Sequence, residues 1–521
     1  MLKTSLVFGL IFFSLISFSQ DIDVVNYRFI IDLSDENDTL HGDAFITIFN
    51  KSGKKAIGLD LTGLDKDGKG MKVYQVTNNQ LPLQTLTYKQ EGQKLIIQLP
   101  DTNSGKKTLH ITYAGIPQDG LIISKNKYGD RTFFSDNWPN RAHYWIPCND
   151  RPDDKASFEF IVNAPSEYKV ISNGVKAEEF NKNGKTVTHW KENIPLPTKV
   201  MVIGVAKFAV KTFNDSPPNI PVSAWIYQQD STKGFHDYAV APEILKFFSS
   251  YIAPYPYEKL ANVQSKTIFG GMENASAIFY AENSVSGHGG VEDLLAHEIA
   301  HQWFGDMASE KSFTHLWLSE GFATYFTDIY WQQKYGDDAF KKRLQNERDD
   351  VVEFVKKNNH PVVDSLSTYM DLLNANSYQK GSWVLHMLRN EVGDSVFHKI
   401  IQAYYQRFKG GNADTRDFEA VGEKVSGKNL KWFFDQWLYR PGVPQLKLEV
   451  KKDKDEVKIK IIQEKELFQF PLEYEVFAGD EAWYEQVQIK GRETELKFKL
   501  RDFKQIILDP RVKLLFTEVK K

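Results

Sequence analysis

The sequence predicts a multidomain α+β protein, with an N-terminal all-β domain, a mainly helical domain in the middle and a small C-terminal β-sandwich. Alternating apolar and polar residues, which are typical of strands, occur at 27–33, 44–49, 95–99, 446–450, 457–461 and 495–500. In the middle of the chain apolar residues recur at helical spacing instead, as at 294–303 and 316–331. Runs of strands that are separated from runs of helices favour the α+β class.

The length of the chain sets the expected number of domains. At 521 residues it exceeds what one hydrophobic core normally serves. The pattern changes near residue 207, and a Pro- and Gly-containing breaker at 440–444 precedes the last strands. We therefore predict the boundaries as follows: a signal peptide at 1–19, an N-terminal β domain at 20–206, a central domain at 207–441 and a C-terminal β-sandwich at 442–521.

Charge and composition narrow the class of protein. The formal net charge is −3 with both signs interspersed, which argues against a nucleic-acid partner or an anionic membrane surface. A hydrophobic content of 41% with 26% charged residues is ordinary for a soluble globular protein.

The first residues have the pattern of an export signal. Lys3 precedes an apolar run at 5–18, and small residues stand before Gln20. The run is too short to stay in a bilayer, and no later stretch reaches the roughly 18 apolar residues of a membrane helix. The single cysteine, Cys148, excludes an intrachain disulfide and is expected to be a buried apolar side chain. We expect a periplasmic or secreted protein without an integral membrane segment once the signal is removed.

A histidine pair on a predicted helix is the main chemical signal of the chain. His297 and His301 stand four residues apart, so both imidazoles project from one helix face and suit two corners of a zinc tetrahedron. Glu298 lies about 100° around the helix, beside the metal rather than on it. A carboxylate in this position is suited to take a proton from metal-bound water. A structural histidine pair that matches by chance is the alternative.

A hydrolytic zinc site needs a third protein ligand and an open position. The second helical stretch, 316–331, contains one early acid, Glu320, and 18 residues separate it from His301. This spacing allows a loop and an antiparallel helix, so we predict Glu320 as the third ligand. Further upstream, Gly270 and Gly271 stand just before Glu273, and glycines beside an acid permit close approach of a ligand.

With these residues in view, the chain resembles peptidase family M1, the zinc aminopeptidases of the gluzincin clan. The resemblance covers about residues 22–521. Its motifs are the exopeptidase segment 270–274, the zinc helix with the segment 317–323, the catalytic-tyrosine segment 377–381 and a signature of the N-terminal β domain at 147–156.

The resemblance implies a fold, a cofactor and a set of site residues. The central domain would be a thermolysin-like zinc-metallopeptidase catalytic domain that binds one Zn²⁺ through His297, His301 and Glu320. Glu298 would be the general base, and Tyr378 would donate to the oxyanion. Peptides with a free N-terminus would be the substrates, with Glu273 binding the α-amino group. The other expected substrate-binding residues are Phe269, Gly270, Gly271, Met272, Asn274, Asp136 and Trp138.

Several positions depart from the family pattern. Trp138 stands where the family usually has glutamine or glutamate, and Asp136 is the nearest acid. Ser319 and Asp306 replace two asparagines of the family. The chain also resembles a short form that lacks the C-terminal helical domain of many members, so we expect a more open cavity or one that a partner closes.

Three other readings stay open at the level of sequence. A zinc endopeptidase shares the metal chemistry but gives Glu273 no purpose. An epoxide-hydrolase-like relative has the same zinc motif, and a non-catalytic peptide-binding protein would not need Glu298 or Tyr378. The preferred first residue, the physiological substrate and the oligomeric state have no signal in the sequence.

Overall fold

The structure, a computed structural model, describes residues 22–51, 53–79 and 83–519. The predicted signal peptide at 1–19 lies outside these residues. Within the described part of the chain, no helix is both long and apolar enough to span a bilayer.

The region up to residue 206 is built from strands, as the alternating pattern predicts. The largest sheet has the order β12-β13-β10-β1-β2-β7-β4, and β1 pairs in parallel with β10 on one side and antiparallel with β2 on the other. Along β10 every second residue is buried, so one face of the sheet packs on the core. The strands are β1 (Ile22–Asp32), β2 (Leu40–Asn50), β3 (Ala56–Asp60), β4 (Gly70–Asn78), β5 (Tyr88–Glu91), β6 (Lys94–Gln98), β7 (Gly105–Ile116), β8 (Leu121–Lys125), β9 (Arg131–Ser135), β10 (Lys155–Pro165), β11 (Lys169–Ser172), β12 (Val175–Lys182), β13 (Lys185–Pro197) and β14 (Ile203–Ala206).

The central region begins with a sheet before its helices. Its order is β15-β16-β17-β19-β18, formed by β15 (Phe208–Thr212), β16 (Val222–Tyr227), β17 (Leu260–Ser265), β18 (Gly271–Met272) and β19 (Ala277–Ala281). The sequence indicates only a short strand here. All residues of β17 are buried, and a strand that is buried on both faces lacks the alternation that identifies strands.

Helices make up most of the rest of the central region. Residues 235–252 have the sequence pattern of one helix, but a 3-10 turn at Tyr238–Val240 divides this stretch, and Pro242 stands at the start of the second half. The helices are α1 (Ser231–Asp237), α2 (Ala241–Tyr251), α3 (Glu292–His301), α4 (Trp317–Tyr335), α5 (Asp337–Lys357), α6 (Gly381–Val392), α7 (Asp394–Phe408), α8 (Thr415–Ser426) and α9 (Lys431–Leu438). Two short strands, β20 (Ser309–Glu310) and β21 (Asn412–Ala413), pair in parallel.

The last part of the chain returns to strands, as predicted. Two sheets, of order β26-β23-β22-β28 and β25-β24-β27, form the C-terminal β region. The strands are β22 (Gln445–Asp453), β23 (Glu456–Gln463), β24 (Phe470–Ala478), β25 (Glu481–Ile489), β26 (Glu493–Lys499), β27 (Phe503–Leu508) and β28 (Thr517–Glu518). The arrangement of β strands, helices and β strands confirms the coarse α+β prediction, while the domain boundaries stay predictions.

Two lysines, buried Lys199 and half-buried Lys155, connect the N-terminal β region to the central region. Lys199 Nζ lies 2.6 Å from Glu310 Oε1, and both side chains are buried. Lys155 Nζ donates to the backbone carbonyls of Asp306 and Met307 at 3.0 and 2.9 Å. These contacts hold the segment that follows α3 against the first sheet.

Candidate active site

Three side chains from α3 and α4 converge on one point. His297 Nε2 lies 3.3 Å from Glu320 Oε2, and His301 Nε2 lies 3.2 Å from the same oxygen. The two Nε2 atoms are 3.1 Å apart. The predicted set of His297, His301 and Glu320 is therefore brought together as a candidate metal site. Two imidazoles with one carboxylate form a donor set that suits zinc.

The orientation of the His301 ring is fixed by contacts of Nδ1, the nitrogen that faces away from the other two candidate ligands. Its Nδ1 lies 3.1 Å from the Phe304 carbonyl oxygen and 3.1 Å from Ser319 Oγ. A hydrogen bond from Nδ1–H to the carbonyl leaves the Nε2 lone pair free for a metal. The chain turns tightly here, because Gly305 has a φ of +119° and an added Cβ would lie 2.3 Å from Ser319 Oγ.

The candidate metal ligands open onto a cavity of about 590 Å³. Its walls come from the N-terminal β region, the segment around β18 and helices α3, α4 and α5. The predicted site residues that line it are Trp138, Phe269, Gly270, Gly271, Met272, Glu273, His297, Glu298, Glu320 and Tyr378. His301 is buried behind the other two ligands.

Glu298 lines this cavity beside the candidate ligands. Burial raises the pKa of its carboxyl well above the ordinary value, although the neighbouring His301 acts in the opposite direction. A raised pKa makes a carboxylate a better proton acceptor near neutral pH. Gly271 makes room for this carboxylate, since an added Cβ would lie 2.2 Å from Glu298 Oε1. Gly271 also lines the cavity, and its role in making room for substrate stays a prediction.

Tyr378 lines the cavity next to the candidate ligands. It lies in a π-helical turn, Asn376–Lys380, directly before α6, and such turns are frequent at functional sites. Its ring stacks on the His297 ring with centroids 5.9 Å apart. Burial, with Glu320, Glu273 and Glu298 nearby, raises the pKa of the phenol well above its ordinary value. The hydroxyl therefore keeps its proton and remains a hydrogen-bond donor.

Glu273 presents a buried carboxylate on the cavity wall. The side chain is 5% exposed, and its Oε1 has no hydrogen-bond partner among the described residues. Its backbone carbonyl accepts from Gln302 Nε2 at 2.8 Å, which anchors the segment to the end of α3. Burial raises the pKa of Glu273, while His301 and Lys199 act in the opposite direction. This oxygen lacks the partner that a buried carboxylate oxygen normally has.

Two predicted substrate-binding residues, Asp136 and Asn274, are absent from the cavity lining among the described residues. Asp136 is fully buried, accepts from Thr267 Oγ1 and the Ile268 N–H at 3.0 Å each, and pairs with Arg141. Through these contacts Asp136 holds the segment before Phe269, and a role in binding substrate stays a prediction. The Asn274 side chain is also fully buried behind the wall.

Other lining residues had not been singled out in the sequence. They are Gly290, Asp293, Leu294, Thr324, Thr327, Arg343, Asn346, Glu347, Asp350, Leu373 and Gln379. Thr324 and Thr327 follow Glu320 by four and seven residues, so helical spacing would have placed them on its face. Arg343 reaches across from α5 to Asp293 and Asp328, at 2.6 Å each. No local signal identifies this residue, because its partners come from other helices.

The fold and the donor set together define a candidate metallohydrolase site next to a cavity that also presents the Glu273 carboxylate, one oxygen of which has no partner among the described residues. Comparisons with known proteins agree with this class. A model of the peptidase family M1 domain matches residues 236–437, and one of the peptidase M1 N-terminal domain matches residues 24–200. The chain belongs to peptidase family M1.

Curated relatives are similar over much of this chain. Probable aminopeptidase 1 of Sulfurisphaera tokodaii is 27% identical over 446 residues, which cover 81% of this chain and 54% of that protein. Glutamyl aminopeptidase of Sus scrofa is 29% identical over 376 residues, covering 67% of this chain and 39% of the relative. Aminopeptidase M1-C of Oryza sativa subsp. japonica is 29% identical over 334 residues, covering 60% of this chain and 37% of the relative. The chain thus spans about half the length, or less, of these relatives.

Proposed function

We propose that this protein is a zinc-dependent aminopeptidase that removes N-terminal residues from peptides. The observation that carries the proposal is the Glu273 carboxylate on the wall of the cavity that holds the candidate ligands, whose buried Oε1 has no hydrogen-bond partner among the described residues. A substrate ammonium is the partner that this carboxylate lacks. The names of the relatives support the same class of activity. We also propose that the catalytic domain has the thermolysin-like arrangement that the family resemblance implies.

His297, His301 and Glu320 would hold the zinc. When bound, zinc would acidify a water molecule and polarise the scissile carbonyl. The ligands fit this ion because their three donor atoms lie within 4.8 Å of one another and His301 is held in the required tautomer. The remaining steps depend on side chains of this chain.

Glu298 accepts the proton of the attacking water and transfers it to the leaving amine. Its carboxylate lies beside the ligands, is buried, and has a raised pKa. These properties match a group that must bind a proton and release it within one turnover. Tyr378, whose ring stacks on His297, donates a hydrogen bond to the oxygen on which negative charge develops.

Glu273 binds the α-ammonium of the substrate and so sets the distance from the chain end to the cut bond. An ammonium that leaves water needs a compensating charge, or its desolvation opposes binding. An acetylated N-terminus has no charge and is bulkier, so it would leave Glu273 unpaired.

The decisive test compares one peptide in its free and N-acetylated forms. We expect the metal-loaded protein to cleave the free form only. Glu273→Gln should keep the metal content and lose most turnover of the free form, whereas Glu243→Gln, at a side chain that is 56% exposed, should match the wild type. Equal cleavage of both peptides would favour the endopeptidase alternative.

Metal dependence is tested separately. We expect a chelator to abolish cleavage and added Zn²⁺ to restore it. Replacement of His297 by alanine should lower the metal content of the purified protein, because one of three ligands is lost. Full activity of a metal-free preparation would contradict the zinc assignment.

We further propose that the protein is exported to the periplasm or secreted. The apolar run at 5–18 after Lys3 and the single cysteine support this. Sequencing the N-terminus of the protein from its native host tests the proposal: a start at or near Gln20 is expected, and an intact Met1 would contradict it.

A further inference from the structure

Tyr378 stands in the middle of the five-residue π-helical turn Asn376–Lys380. Under the proposed function, on which the following inference rests, its hydroxyl must reach the oxyanion, and a misplacement of about 1 Å can cost on the order of 10²-fold in rate. The residues two before and two after it, Asn376 and Lys380, are 2% and 0% exposed. The contacts of these two buried side chains therefore help to fix the position of the hydroxyl.

The start of the turn and its α4 side are held by short contacts. Asn376 Nδ2 donates to the carbonyls of His360 and Pro361, in the segment after α5, at 2.8 and 3.3 Å. Gly381 lies directly against Gly321 of α4, since a Cβ added to Gly381 would lie 2.9 Å from the Gly321 Cα. The turn can therefore shift mainly at its other end.

Lys380 holds that other end. Its Nζ donates to the Gly442 carbonyl at 2.9 Å, the one hydrogen bond of this ammonium among the described residues. Burial lowers the pKa of Lys380 to about 7. A buried lysine without a counter-charge opposes folding, and a methionine of similar length would fill the same space without this cost. What the lysine adds is the hydrogen bond to Gly442.

The junction between α9 and β22, which contains Gly442, is fixed to the C-terminal β region. Arg440 Nη2 donates to the Leu467 carbonyl at 3.0 Å. The Pro444 carbonyl accepts from the Thr517 N–H, also at 3.0 Å. Gly442 itself has a φ of +78°, a conformation that favours glycine. Its carbonyl therefore has a defined position relative to the C-terminal sheets.

We propose that Lys380 is a positioning residue for the reaction: by holding the π-helical turn to the Gly442 carbonyl, it places the Tyr378 hydroxyl beside the candidate metal ligands. Lys380 does not line the cavity, so it acts through Tyr378 and not on substrate. The C-terminal β region thereby takes part in catalysis, although none of its described residues lines the cavity.

The test is a double-mutant cycle on the metal-loaded protein with an aminoacyl 4-nitroanilide that the wild type cleaves. Lys380→Met should lower kcat by about 10- to 100-fold, with a much smaller change in KM and an unchanged metal content. In the Tyr378→Phe background the same change should have almost no further effect on kcat, because the hydroxyl that Lys380 positions is already absent. A merely structural role would give the same fold change in both backgrounds.

Gly442→Ala changes the same contact at its acceptor. The added methyl group would meet nothing within 4 Å, so only the backbone at a φ of +78° is strained, and the carbonyl moves. We expect kcat to fall here as well, again only when the Tyr378 hydroxyl is present. If Lys380→Met does not fold, this variant provides the same comparison.

Two matched controls should keep the wild-type kcat. Gly427→Ala places a methyl group at another glycine with positive φ, +69°, and open space, at the end of α8. Lys185→Met removes a lysine that also donates to a backbone carbonyl, that of Leu33 at 2.9 Å, in the N-terminal β region.

Equal fold losses of kcat with and without the Tyr378 hydroxyl would overturn the inference, as would wild-type kcat in both Lys380→Met and Gly442→Ala. These outcomes leave the proposed function in place, because the wild type still cleaves the reporter. A metal-loaded wild type that cleaves no free-amine reporter would overturn the proposed function, and this inference with it.

Discussion

At the scale of single residues, Glu298 and Tyr378 reach one cavity from different elements. Glu298 projects from α3 beside the candidate ligands, and Tyr378 stacks on the His297 ring from the π-helical turn before α6. One is suited to move a proton and the other to hold a developing charge. Substitution therefore separates the two roles.

Glu298→Gln should retain the metal and lose turnover by about 10²–10⁴-fold, because the ligands stay while the proton acceptor is gone. Metal analysis and kcat on a free-amine reporter measure the two effects on one sample. Glu292→Gln is a matched control on the same helix, since Glu292 bonds to Lys334 and is absent from the cavity lining. Near-normal kcat in zinc-replete Glu298→Gln would contradict its role as base.

Tyr378→Phe should lower kcat by about 10²-fold with a much smaller change in KM, because the hydroxyl acts mainly when charge develops on the oxyanion. Steady-state kinetics give both constants. Tyr369→Phe removes a hydroxyl at a tyrosine that is 46% exposed and should behave like the wild type. A raised KM with unchanged kcat would mean that Tyr378 only binds or packs.

The sequence predicts those site residues whose geometry is local. His297, Glu298 and His301 lie on one turn of α3, and helix periodicity alone relates them. The environment of Asp136 cannot be predicted from local periodicity. Its hydrogen bonds reach Thr267 and Ile268, more than 130 residues away, so its burial depends on how two regions pack.

At the scale of elements, the turn that leads into β10 is tied to β1 by one buried carboxyl. Asp154 accepts from the Val24 N–H at 3.3 Å and from the Asn149 side chain. Burial raises the pKa of Asp154 to about 6, although these hydrogen bonds act in the opposite direction. The folded protein therefore holds a proton at this carboxyl where the unfolded chain has released it.

The sign of the resulting pH dependence follows from the raised pKa. The stabilisation is fully present below about pH 4 and is lost as the pH rises through about 6, a change on the order of 3 kcal/mol. Asp154→Asn should remove this part of the decline in the thermal midpoint between pH 4 and 7. Asp480→Asn, at a fully exposed side chain, should keep the wild-type profile. Identical pH profiles for Asp154→Asn and the wild type would contradict the assignment.

Some strands and helices can be predicted from the sequence more accurately than others. Along β23 the apolar residues alternate with polar ones and one face is buried, so the sequence predicts this strand. In β17 every residue is buried, and in α1 and α2 a short 3-10 turn breaks one apolar pattern into two helices. β17 cannot be predicted because its sequence lacks a period of two. The break between α1 and α2 cannot be predicted because it depends on the backbone geometry of three residues.

At the scale of the whole molecule, buried charge connects the N-terminal β region to the central helices. Lys199 and Glu310 pair at 2.6 Å with side-chain exposures of 1% and 0%. Removing one partner of such a pair leaves an uncompensated buried charge and costs about 3–5 kcal/mol. The pair lies beside Phe313, whose ring packs on the Trp138 ring of the cavity wall.

Lys199→Met should lower the thermal midpoint by several degrees, and adding Glu310→Gln should recover part of the loss, because the second change removes the unpaired charge. Calorimetry on the four proteins of this cycle measures the coupling. Lys431→Met is the control, since Lys431 pairs with Asp435 at the surface, where such a pair contributes less than about 1 kcal/mol. Additive effects of the Lys199 and Glu310 changes would contradict the pairing.

The order of the strands in each sheet cannot be predicted from the local sequence pattern. The alternation at 27–33 identifies β1, yet nothing near it indicates that Asn26 lies opposite Ser157 in a parallel ladder. That pairing depends on the packing of the complete β region. The same limit applies to Trp138, whose place in the cavity wall depends on contacts with Phe269 and Phe313.

The position of β1 has a consequence for synthesis. β1 and β2 are close in the chain, so they can pair soon after both have left the ribosome. The other edge of β1 stays unpaired until β10, which begins at Lys155, has been synthesised. At roughly 5–20 residues per second, that edge stays open for on the order of 10 s. An open apolar edge is a template for pairing with other nascent chains. Slow translation or crowded polysomes should therefore favour aggregation of this protein, and a chaperone that covers residues 22–32 until β10 arrives should suppress it.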